Sequence, residues 1–244
     1  MGSEDVKIAG SSVKLGPVRL ADWGIRVILA DVNNLLLRPF YPVAALLLVG
    51  CGSEDPYTLD GPRHYVSGYA ARHSDGRINV VIEIPSGTCE KWEVAKDSGD
   101  LVWELVDGQP RVIKYLSYPG NYGMVPQTLL PTEAGGDGDP LDVLVLGPAV
   151  ARGSVVKARV IGVLELLDGG EQDDKLLAVL EDSPLDRVAS LEQLDEEFPG
   201  VTQIVRLWFS NYKGPGRMES KGFGSVTRAE EILVTAIEAY TTRN

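Results

Sequence analysis

Residues 137–142 read Asp-Gly-Asp-Pro-Leu-Asp and run directly into Val143-Leu144-Val145-Leu146, so three carboxylates within six residues abut an unbroken apolar run. That apolar run reads as a strand. Gly138 and Pro140 forbid a helix ahead of it and hold the acids on a turn. The turn therefore sits at the edge of a core, where its charges need a purpose. Hard carboxylate oxygens in such a cluster suit Mg²⁺, Mn²⁺ or Ca²⁺. The EF-hand pattern fails, because counting from Asp137 puts Asp142 where glycine is required and Pro148 where glutamate is required. The alternative at this point is a solvated acidic turn without chemistry.

Working outward, strands are predicted at Ile78–Pro85, Lys91–Lys96, Leu101–Val106, Asp142–Gly147, Ser154–Leu167 and Lys175–Leu180, with Ser86-Gly87 and Ser98-Gly99 as turn signals. Short strands at this spacing suggest a sandwich or a small barrel. Helical periodicity comes last: Val205, Trp208, Phe209 and Tyr212 share one face, and Thr227 with Glu230 forms a capping box ahead of Ile232, Ala236, Ile237 and Tyr240. The fold class is α+β.

The 244 residues suffice for one domain with a buried core. With 23 Lys plus Arg against 35 Asp plus Glu the formal charge is −12, which argues against nucleic acid as a partner. His64 and His73 are the only histidines, so Ser-His-Asp and Cys-His mechanisms lack a base. The two cysteines, Cys51 and Cys89, form no zinc motif. A short apolar run from Phe40 to Gly50 is too brief to span a bilayer, but it resembles the apolar part of a signal peptide, and Leu48-Val49-Gly50-Cys51 resembles a bacterial lipoprotein cleavage site. The expected organisation is a leader over 1–37, a signal-like segment over 38–51 with a lipid anchor on Cys51, a tether over 52–75 and a folded domain over 76–244. That reading places the protein outside the cytoplasm, tethered to a membrane; a cytoplasmic enzyme is the alternative.

A second acidic turn, Asp168, Asp173 and Asp174, lies between two predicted strands and can meet the first turn if the sheet closes. Lys91, Arg111, Lys114, Tyr118, Tyr122, Lys175, Tyr212 and Lys213 recur beside strands and turns. Acids with lysines, arginines and phenols, and no histidine, fit metal-assisted chemistry on a phosphorylated substrate.

Ile-Glu-Ile-Pro (82–85), Lys-Trp-Glu-Val (91–94), YPGNYG (118–123), DGDPLDVLVLGP (137–148), GVLELLDGGEQDDKLLAV (162–179) and NYKG (211–214) occur in the order found in family I soluble inorganic pyrophosphatases. The resemblance covers about residues 80–240. It implies an OB-like closed or partly open β-barrel flanked by C-terminal helices, and Mg²⁺-dependent hydrolysis of pyrophosphate to two phosphates, with several Mg²⁺ ions and Mn²⁺ as a substitute. It further implies metal ligation by Asp137, Asp142, Asp173 and Asp168, with Glu83 more weakly placed. Asp139 matches the general base, and Tyr122 and Lys175 the other catalytic positions. Lys91, Arg111, Tyr122, Lys175, Tyr212 and Lys213 match substrate-binding positions, while Glu93 and Tyr118 support them. Lys114 is the alternative to Arg111, and a one-residue slip would exchange Asp173 with Asp174. Relatives of this kind are commonly homo-oligomers. The alternative function is a non-catalytic divalent-cation or phosphate-binding lipoprotein with the same fold.

Overall fold

The computed structural model describes residues 55–132, 136 and 138–243. The leader, the signal-like segment, Cys51 and Asp137 lie outside the described residues. Among those described, no helix is long and apolar enough to cross a membrane.

The chain runs β1 (Thr58–Leu59), β2 (Ile78–Ile84), β3 (Trp92–Val94), β4 (Leu101–Trp103), β5 (Leu105–Val106), β6 (Gln109–Pro110), β7 (Asn121–Met124), β8 (Asp142–Leu146), β9 (Val155–Asp168), β10 (Glu171–Gln172) and β11 (Lys175–Leu180), then α1 (Leu191–Glu197), α2 (Val201–Asn211), β12 (Met218–Gly224) and α3 (Val226–Arg243). The main sheet is mixed. Its order β9-β11-β8-β7-β2 returns to β9, so the strands close into a ring. Closure depends on the length of β9: Val155–Ala158 pair with β2, and residues from Ala158 to Leu164 pair with β11. Only β8 and β11 run parallel, and that pairing puts the beginnings of both strands, Asp142 and Lys175, on one rim.

Val143–Leu146 is a strand, as expected, and it is buried on both faces, which meet different helices. Leu144, Leu146, Leu177 and Val179 pack with Leu194, Val205, Trp208 and Phe209 of α1 and α2. Val143, Val145, Leu176 and Ala178 pack with Ala229, Ile232, Leu233 and Ala236 of α3. This is why those strands read as continuous apolar runs rather than alternating ones.

Four expectations need correction. The stretch expected to be a tether over 52–75 is part of the fold from residue 55: β1 pairs with β4, and Tyr65 is buried with its hydroxyl donating to the Gly153 carbonyl at 2.8 Å. Its Pro, Gly and Ser content reads as linker, but one aromatic anchor fixes it. The strand expected over Leu101–Val106 breaks at Glu104, whose amide donates to the Lys91 carbonyl at 2.9 Å. The capping box does not form. Helix α3 starts two residues earlier, with Ser225 Oγ accepting from the Arg228 amide, and Glu230 is engaged by Arg72 instead. Finally, α1 and β12 had no counterpart in the sequence reading.

Gly123 shows how tightly the rim is built. A Cβ there would lie 1.8 Å from the Val81 carbonyl oxygen, so β7 and β2 approach closer than any side chain allows. Gly123→Ala should cost about 3 kcal/mol through overpacking against backbone. A lowered denaturant midpoint at unchanged slope would register it.

Candidate active site

One cleft is lined by Glu83, Lys91, Glu93, Lys96, Tyr122, Asp139 and Asp142. Each arrives for a local reason. Strand β2 carries a bulge between Ile82 and Ile84 where it pairs with β7, and Glu83 is the extra residue. A bulge re-aims a side chain, and this one sends a carboxylate into the interior. Glu83 is buried, and its Oε1 accepts from the Val94 amide at 2.8 Å. Tyr122 stands on β7 opposite Leu144 of β8.

At the rim, Lys175 is buried and donates to Asp142 and, at 2.5 Å, to Asp173 Oδ1. Lys213, just past α2, donates to Asp168 Oδ2 at 2.5 Å. Lys96 pairs with Asp139 and also donates to the Gly138 carbonyl at 3.3 Å. Three lysines thus carry the counter-charge of four acids. Among the described residues no three Asp, Glu, His or Cys side chains form a ready-made metal cage. The lysines occupy the carboxylates, and Asp137 lies outside the described residues.

A neighbouring cleft is lined by Arg111, Lys114, Tyr212, Lys213 and Arg217. Arg111 is held by Glu104, its Nη1 lying 2.7 and 2.8 Å from the two carboxylate oxygens. Both candidates for the substrate arginine, Arg111 and Lys114, therefore face this cleft, and Arg217 is a cation the sequence reading missed. An aromatic stack supports the wall: the Trp208 ring lies 4.3 Å from Tyr118 and 4.7 Å from Tyr212, and its indole N–H donates to the Leu116 carbonyl at 2.8 Å. Asp174 is turned away from the rim. It accepts from the Leu166 amide at 3.0 Å and from Gln172 Nε2 at 2.7 Å, which leaves Asp173 as the acid beside Lys175.

Burial dominates the electrostatics. It pushes the Glu83 carboxyl from the ordinary 4.5 up to about 8, with Lys91 working against the shift and Asp142 adding to it. Asp173 is also raised by burial, against the opposing charge of Lys175. Burial works to lower Lys175, but Asp142 and Asp173 outweigh it and hold the ammonium far above the usual lysine range. The phenols of Tyr118, Tyr122 and Tyr212 are raised, chiefly by burial, and so stay protonated as donors.

Because Glu83 binds its proton more tightly folded than unfolded, its neutral form contributes stability that is fully present below 4.5 and is lost as pH rises through about 8. In chelator, the wild type should therefore lose more stability between those limits than Glu83→Gln, and denaturant midpoints at each end of the window measure the difference.

The donor set is all oxygen, with no cysteine or histidine, and it lies beside cations and neutral phenols on the rim of a strand ring. That combination has the chemistry that suits a hard divalent cation and a phosphorylated anion. The family model described as inorganic pyrophosphatase matches residues 80–241. An inorganic pyrophosphatase of Gluconobacter oxydans is 37% identical over 167 residues, covering 66% of this chain and 90% of the relative. The chain spans 57% of another relative, a chloroplastic soluble inorganic pyrophosphatase of Chlamydomonas reinhardtii, at 37% identity. The solved inorganic pyrophosphatase of Helicobacter pylori superposes with a TM-score of 0.60 at 36% identity, covering 71% of this chain and 98% of that one. The chain belongs to the inorganic pyrophosphatase family, whose members are inorganic diphosphatases.

Proposed function

We propose that the chain hydrolyses inorganic pyrophosphate to two phosphates in a reaction that requires Mg²⁺, with Mn²⁺ as a substitute. The observation that carries this is Lys175, buried on the rim between Asp142 and Asp173 in the parallel β8–β11 pair, next to the cleft that also holds Asp139. Asp142, Asp173 and Asp168, with Asp137, are the acids assigned to the cations, and Glu83 supports them from the bulge. Bound there, a divalent cation would acidify a coordinated water and offset the charge of the phosphates.

The chain's own groups divide the remaining work. Asp139 takes the proton of the attacking water, for which its half-exposed position on the cleft wall suits it. Lys91 faces the phosphates from the first cleft, with Lys175 buried behind Asp142 at its edge, and Arg111, Lys213 and Tyr212 face them from the second. Arg111 offers two parallel donors and is favoured over Lys114, since Glu104 already fixes its plane. Tyr122 and Tyr212 donate as neutral phenols, and Lys175 keeps its proton to stabilise charge on the oxygen that departs. The strand ring is read as the OB-like barrel of this family, with the site on its rim. A binding-only role is not favoured, because the relatives are named for hydrolysis and a binder has no use for Asp139 as an extra acid.

Phosphate release from pyrophosphate should appear with Mg²⁺, stop on chelation and return when Mg²⁺ is restored. Absence of release with both Mg²⁺ and Mn²⁺ would sink the proposal.

A further inference from the structure

The loop between β8 and β9 runs along β2 up to the Glu83 bulge. The Ile82 amide donates to the Ser154 carbonyl at 2.9 Å, and the Gly153 amide to the Ile82 carbonyl at 2.8 Å. From this loop Arg152 reaches two separate pieces of the site. Its Nε donates to the backbone carbonyl of Glu83 at 2.9 Å, and its Nη2 to Glu90 Oε2 at 3.3 Å. Between these contacts its guanidinium carbon lies 4.7 Å over the Trp92 ring. Trp92 is buried, and its indole N–H has no hydrogen-bond acceptor among the described residues, so stacking holds it: Arg152 on the ring and Trp103 at 5.4 Å.

Glu90 and Trp92 flank Lys91. The Lys91 backbone is fixed on its other side, its amide donating to the Arg111 carbonyl at 3.0 Å and its carbonyl accepting from Glu104. Arg152 therefore touches both the backbone of the bulge carrying Glu83 and the residues on either side of Lys91, adding to the link that the Glu83 carboxylate makes to the Val94 amide. These two elements belong to different sheets, β2 to the main ring and β3 to the small sheet with β4 and β1.

We propose that Arg152 is a positioning residue that clamps the two sheets so that Glu83 and Lys91 face the same cleft at fixed separation. This rests on the reading that Glu83 serves the cation and Lys91 the phosphate. The planar fork is needed because one donor goes to a carbonyl, another to a carboxylate, and the face stacks on an indole. A lysine satisfies the carboxylate alone.

Arg152→Met and Arg152→Lys, made in the full chain, test the clamp by steady-state kinetics and by Mg²⁺ calorimetry without substrate. Both variants should raise KM for pyrophosphate and weaken Mg²⁺ binding by about fivefold, while kcat at saturation falls by less than about twofold, since uniform binding is lost rather than chemistry. If Arg152→Met does not fold, Arg152→Lys, which keeps the Glu90 pair, carries the same comparison. KM and Mg²⁺ affinity within about twofold of wild type in a folded variant would overturn the clamp. So would full recovery in Arg152→Lys, because charge alone would then suffice. If wild type releases no phosphate, the functional reading fails, and the calorimetric comparison still decides the clamp.

Discussion

Asp139→Asn should lower kcat for pyrophosphate hydrolysis by about 10²–10⁴-fold, the range that a positioned general base supplies. The substitution keeps the shape of the side chain and removes its ability to take a proton. KM should change little, because the cations proposed to face the phosphates, Lys91, Arg111 and Lys213 in the two clefts and the buried Lys175, stay in place. Stability should hardly move. Asp139 is paired with Lys96, yet both side chains are about half exposed, at 46% and 53%, and an ion pair of that kind contributes less than about 1 kcal/mol. The combination separates chemistry from folding: a large fall in turnover at saturating Mg²⁺ with an unchanged thermal midpoint. A turnover within about threefold of wild type would remove Asp139 from the proton transfer and leave the acid as a partner of Lys96 alone.

What the sequence disclosed depended on whether a feature is local. The run Val143–Leu146 announced a strand, and Asp142 at its head announced a rim acid, because both follow from adjacent residues. The face of α2 was equally local, and its fourth member Tyr212 lies at the helix cap, where its ring stacks on Trp208. Features made by pairing were hidden. Nothing in residues 78–85 signals that Glu83 falls on a bulge, since the bulge exists only relative to Tyr122 and Gly123 on β7. The parallel partnership of β8 and β11 brings Lys175 to Asp142 from 33 positions away. The choice between Asp173 and Asp174 was open for the same reason. The Leu166 amide draws Asp174 inward from a neighbouring strand and leaves Asp173 beside Lys175, an arrangement that adjacent residues do not foretell. Lys96 stood only as the end of a predicted strand, and its pairing with Asp139 brings the turn at 138–140 against it from 42 positions along the chain.

Lys175→Met should separate the structural use of that lysine from its chemical one. In chelator the variant should be destabilised by about 3 kcal/mol, since removing one partner of a buried pair strands the other charges. Lys175 is 3% exposed, whereas Asp142 and Asp173 keep 29% and 20%, so the stranded acids recover some hydration and the cost sits at the low end of that range. Adding Mg²⁺ should then stabilise the variant more than it stabilises the wild type. The same two carboxylates are the proposed ligands, and in the variant no ammonium competes for them. Activity should not follow stability. A methionine packs in the same space but cannot offset charge on the departing oxygen, so kcat should stay down by about 10²-fold or more at saturating Mg²⁺. Thermal midpoints across a Mg²⁺ titration of both proteins give the first result, and phosphate release the second. Equal Mg²⁺ stabilisation of the two proteins would mean that Asp142 and Asp173 do not bind the cation, and that Lys175 balances their charge for the sake of the fold.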